Sequence, residues 1–150
     1  MMAASISDLA QVIQIVVAPV FMLTGIAGFL NVMSGRLGRI VDRARIIERR
    51  VAILKNPEKL KISQVELKYL WRRIKIINRS IGMCTASALF VCAVVCCLFI
   101  GEFLLMDLTK AVVILFVIAL LLLIVALVSF LKEVQLATRT LQMGKEFDDE

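Results

Sequence analysis

Three long apolar blocks, at about residues 9–33, 81–101 and 111–131, constrain this 150-residue chain more than any other feature. Each reaches the roughly 20 residues that an α-helix needs to cross about 30 Å of hydrocarbon. They raise the apolar share of the chain to 61%, against roughly 45–50% in soluble globular proteins. The pattern argues against a soluble enzyme and predicts an all-α membrane protein with three transmembrane helices. The first block has no basic flank and no cleavage-site context, so it reads as a retained span rather than a signal peptide.

Charge divides the remainder. Residues 34–80 hold 14 of the 18 Lys and Arg and only 4 acidic side chains, a surplus of +10 in a chain of net charge +6. Between two spans, such a surplus marks a cytoplasmic segment and not a nucleic-acid patch. The orientation that follows is N-terminus outside, residues 34–80 inside, the connection at 101–110 outside, and the tail 132–150 inside. Only Lys110 then lies on the outer side.

The segment 34–80 carries its own helical pattern. Leu37, Ile40, Ala44, Ile47, Val51 and Leu54 alternate steps of three and four. Leu60, Leu67, Leu70, Ile74, Ile77 and Ile81 continue the alternation after one longer step. These heptad seams predict an antiparallel cytoplasmic helical hairpin with Arg, Lys and Glu on its other faces. Pro57 is expected to stop its first helix, and Ser63 with Glu66 has the spacing of a capping box for the second. Each hairpin helix is expected to run into its span without a break. Tyr69 and Trp71 sit too far from the second span to be interfacial anchors and are read as hairpin packing.

The spans differ in polarity. The third is a uniform Leu, Ile, Val, Ala and Phe run with no side to hide, which suits lipid. The first carries Gln14, Phe21, Thr24, Gly28, Asn31, Gly35 and Gly38 on one stripe, with Asp42 continuing it. Small and polar groups on one face permit close backbone approach and must face protein or water. Beyond it, Arg36, Arg39, Arg43 and Arg45 with Asp42 form the densest charged cluster. They could ring a pore mouth, hold anionic lipid headgroups, or serve as topological anchors with Asp42–Arg39 and Asp42–Arg45 pairs.

Site chemistry is sparse. The chain has no His, and Cys84, Cys92, Cys96 and Cys97 lack metal-site spacing, so they read as small apolar packing residues. The carboxylates taken as nearest the membrane are Asp8, Asp42, Glu102 and Asp107, which fall on different sides of it. No catalytic residue, metal or cofactor is expected.

The stretch APVFMLTGIAGFLNVMSGRLGRIVDRARIIERR, residues 18–50, resembles the signature of the membrane-protein family known as domain of unknown function 2721. The likeness is carried by the APVF start, the LNV segment and the run from Arg36 and Leu37 through Arg39 to Arg45. It implies a bacterial inner-membrane protein and supplies no reaction or ligand. Two function classes stay open. One is a homo-oligomeric channel lined by the first span. The other is a non-conducting scaffold or adaptor whose hairpin binds a protein partner. Neither involves nucleic acid.

Overall fold

The computed structural model describes residues 2–53, 56–104 and 108–146. They form three helices, α1 (Met2–Ile53), α2 (Pro57–Leu104) and α3 (Thr109–Glu146). Each contains a stretch long and apolar enough to cross a membrane. Leu54 and Asp107, and the side chains of Asp8 and Glu102, lie outside the described residues.

The helix boundaries correct two expectations. Ser63 and Glu66 do not start a helix, and Pro57 does not merely stop one. Pro57 is the first residue of α2. Asn56 caps it: its side-chain oxygen accepts the Glu58 amide at 3.1 Å and its carbonyl accepts the Leu60 amide at 3.0 Å. Pro suits a first helical position, where its missing N–H has no intrahelical partner, and Asn is a preferred cap. α2 continues to Leu104, and the Leu108 carbonyl already accepts the Val112 amide at 3.0 Å. Pro19 lies inside α1 and Ser34-Gly35 does not break it, so α1 runs uninterrupted from the first span into the basic segment.

The chain divides into two compact units, residues 1–30 with 83–125, and residues 31–82 with 126–150. Each takes a piece of all three helices. In the first, the core is Val16, Ile26, Cys84, Val91, Val94 and Ala119. The Ser87 hydroxyl donates a 2.7 Å hydrogen bond to the Ala119 carbonyl in this interior. In the second, Met33, Ile40, Ala44, Ile47, Leu70, Ile77 and Ala126 are buried. Ile40, Ala44, Ile47, Leu70 and Ile77 belong to the seams read from the sequence, while Leu37, Val51, Leu60, Leu67, Ile74 and Ile81 are half-buried.

α3 does have a side to hide. Ala119 and Ala126 are fully buried one heptad apart, and small side chains there let the backbone approach its neighbours. Its other faces stay open. Val113, Val117, Leu121, Ile124 and Val128 are exposed large apolar residues.

Candidate functional site

The geometry of α1 follows from one offset. Its buried row is Pro19, Ile26, Met33 and Ile40, one residue per heptad. Phe21, Gly28, Gly35 and Asp42 each stand two residues after a member of that row. Gln14, Thr24, Asn31 and Gly38 each stand two residues before Val16, Ile26, Met33 and Ile40, all buried. Two residues turn an α-helix by about 200°, so the stripe points directly away from the packed seam.

Every member of the stripe is accordingly exposed, Phe21 most conspicuously at 73%. Gln14, Phe21, Thr24 and Gly28 are exposed in the first unit, and Asn31, Gly35 and Gly38 in the second. A Cβ placed on Gly25, Gly28, Gly35 or Gly38 would meet no atom within 4 Å. These glycines therefore make no close approach to the chain's own helices. The Thr24 hydroxyl donates back to the Val20 carbonyl at 3.4 Å, which satisfies it within α1.

The charged cluster separates into parts that face different ways. Arg36, half-buried, and Arg43, though exposed, reach other helices, whereas Arg39, Asp42 and Arg45 are exposed and make no such contact among the described residues. Asp42 pairs with neither Arg39 nor Arg45 among the described residues. The acids that Arg36 and Arg43 reach lie on α3 and α2, and the buried seam turns both arginines toward them. Arg43 donates from Nε and Nη2 to Glu66 Oε1, at 3.2 and 2.7 Å. One heptad earlier, Arg36 Nη2 stands 3.5 Å from Glu133 Oε2 and its guanidinium lies 5.3 Å from the centroid of the Phe130 ring.

Glu133 is the centre of the second unit's polar interior. Its side chain has 0% exposure. Oε1 accepts two hydrogen bonds from Arg73, from Nε at 3.0 Å and Nη2 at 2.8 Å. Oε2 is buried and has no hydrogen bond among the described residues. Arg36 and Arg73 keep 24% and 20% of their side-chain surface exposed, so the carboxylate is dry while its two cations touch solvent. The layer joins α1, α2 and α3 with a net charge of +1. A buried carboxylate left without a partner would cost several kcal/mol, and Arg36 and Arg73 are the partners that offset that cost.

Glu133 and Arg73 escaped the sequence reading, which placed Asp8, Asp42, Glu102 and Asp107 nearest the membrane. The signal was present in heptad spacing. Ala119, Ala126 and Glu133 are each seven apart, as are Glu66, Arg73, Ser80 and Ser87 on α2. Each member of the α2 row makes a side-chain bond; Ser80 donates to the Ile76 carbonyl at 3.0 Å.

A further correction concerns the outer face of α2. Tyr69 and Trp71 do not pack the hairpin; they are 53% and 45% exposed. They line an open cleft with Val65, Lys68, Arg72 and Lys75.

The family model described as "Protein of unknown function (DUF2721)" matches residues 16–143. No curated protein and no solved structure is similar enough to the chain to match.

Proposed function

We propose that this chain, which belongs to the family described as a protein of unknown function (DUF2721), is a homo-oligomeric pore of the bacterial inner membrane. Its α1 stripe faces the axis and α3 faces lipid. It acts without catalysis, metal or cofactor. The observation that carries the reading is the exposure of the whole stripe on the side of α1 away from its own bundle. Left against lipid, the Gln14 and Asn31 amides would each cost on the order of 4–8 kcal/mol relative to water. A second copy, or water enclosed by several copies, removes that cost. The glycines allow the copies to approach, and Gln14, Thr24 and Asn31 supply oxygens toward the axis.

In this assembly the N-terminus is outside and residues 34–80 project into the cytoplasm, in keeping with their +10 surplus. Arg39 and Arg45, exposed beyond the stripe, set a positive potential at the inner mouth. Their guanidiniums also suit anionic lipid headgroups.

The test is ion flux through liposomes carrying the purified protein. Wild type should conduct, Asn31→Leu should conduct less because the constriction becomes apolar, and Cys92→Ala should match wild type. An oligomer whose stripe is buried in dry helix contacts, with liposomes silent across several ions and voltages, would replace the pore with the scaffold. The scaffold reading is favoured by one observation of its own. Ile62, Val65, Tyr69 and Trp71 leave apolar surface exposed on the basic segment, as a protein-binding face does.

A further inference from the structure

The outer face of α2 carries a second stripe that the pore reading does not use. Lys61, Val65, Lys68, Arg72, Lys75 and Arg79 alternate steps of four and three and are all exposed. Ile62, Tyr69 and Trp71 flank them, exposed at 68%, 53% and 45%. Among the described residues, none of the five cations is paired with a carboxylate. Between Lys59 and Arg79 the single acid, Glu66, is held by Arg43. This face therefore presents uncompensated positive charge around apolar and aromatic surface, hollowed into a cleft of about 600 Å³. Such a face fits an acidic segment that carries an aromatic anchor.

The chain contains one such segment. Four of its twelve acidic residues fall in Glu146, Phe147, Asp148, Asp149 and Glu150. We propose that Glu146–Glu150 docks on the α2 stripe of its own chain, with Phe147 against Ile62 and Val65 and the carboxylates on Lys61 and Lys68.

Register makes the contact reachable. Glu133 is level with Arg73 in the second unit, where α3 runs opposite to α2. Glu146 is thirteen residues further along α3, about 20 Å at 1.5 Å per residue. That sets the end of α3 level with Leu60, one residue from Lys61 along α2. Four extended residues span about 13 Å, and returning along α2 they reach about nine residues, to Tyr69. Arg72 and Trp71 then stand within a side chain's length of the segment's far end. Docking would set the segment's four carboxylates against the stripe's five cations.

Trp71 is the sole tryptophan, so its fluorescence reports this face alone. The experiment uses the full chain in nanodiscs of zwitterionic lipid. Asp148→Asn/Asp149→Asn/Glu150→Gln should shift Trp71 emission to the red and raise its quenching by acrylamide. Salt should do the same to wild type as the Debye length falls from about 10 Å near 0.1 M to about 3 Å near 1 M. Zero-length carbodiimide coupling should join Lys61 or Lys68 to the segment in wild type, and high salt should abolish the cross-link. Identical Trp71 spectra and quenching in wild type and triple variant, with no such cross-link, would overturn the proposal. So would a Trp71 response that follows anionic lipid content and ignores the variant, which would assign the stripe to the membrane surface. Cross-links found only between differently isotope-labelled copies would overturn the intrachain contact.

Discussion

Removing Arg73 should damage the protein more than removing Arg73 and Glu133 together. In Arg73→Met, Glu133, whose side chain has 0% exposure, loses both hydrogen bonds to Oε1, leaving only Arg36 at 3.5 Å. At an effective dielectric constant of about 20, unit charges 2.8 Å apart attract by about 6 kcal/mol and 3.5 Å apart by about 5 kcal/mol. The burial penalty of the ions is of similar size, so the intact layer contributes little net stability. Stripping one partner from a buried pair nevertheless costs about 3–5 kcal/mol, because the charge left behind is uncompensated. Glu133→Leu should cost less, since Arg36 and Arg73 retain solvent contact and can turn their guanidiniums outward. Arg73→Met/Glu133→Leu removes both the charge and its counter-charge and should fall within about 1 kcal/mol of wild type. The assay is unfolding by sodium dodecyl sulfate titration in mixed micelles, followed by helical circular dichroism. The double variant should recover about 3 kcal/mol relative to Arg73→Met, roughly a hundredfold in the unfolding equilibrium. A double variant as unstable as Arg73→Met, or an Arg73→Met loss below about 1 kcal/mol, would refute the reasoning.

Gly28→Leu should leave the monomer folded, because the position opens onto empty space, and should break the proposed homo-oligomer; Leu121→Ala should spare it. Mass measurement in mild detergent and nanodiscs reads both, and an unchanged assembly in Gly28→Leu would remove α1 from the interface. Asn56→Ala should cost about 1 kcal/mol through the lost cap, visible as faster amide exchange at Glu58. A cysteine placed at Asn56 should react only with reagents that reach the cytoplasm, and labelling from the outside would reverse the orientation. Arg36→Met should cost less than Arg73→Met, since its contact is longer and its ring contact contributes only about 0.5–1 kcal/mol.

The helices were legible because apolar blocks and seams repeat over many residues and report the same period. The α1 stripe was legible as a single face, but its direction away from the bundle is set by the buried row of Val16, Ile26, Met33 and Ile40. The start of α2 was not. A proline inside a charged stretch reads as a stop, and only the Asn56 side chain turns it into a first helical residue. The charged layer was hidden for a different reason. Glu133 and Arg73 are sixty residues apart, and neither has an unusual neighbour in sequence. Tyr69 and Trp71 were assigned to packing by residue type, but Leu70, between them, takes the buried position and turns both outward.

The layer also addresses a weakness of this architecture. Seams of Ile, Leu, Ala and Val that repeat every seven residues pack almost equally well after a slip of one heptad. Between α1 and α2 the pairs Arg36 with Arg73 through Glu133, and Arg43 with Glu66, sit one heptad apart in each helix. Slip α3 by one heptad toward the N-terminus of α2, and Glu133 comes level with Glu66, whose arginine is already engaged. Slip it the other way, and Glu133 comes level with Ser80, which has no charge to offer. Either error leaves a dry carboxylate without a cation, at the cost of several kcal/mol that a stripped buried pair incurs. The apolar rows drive the helices together, and the polar rows distinguish the correct register from its neighbours. A layer that adds little to net stability can thus decide which of several near-equivalent packings forms.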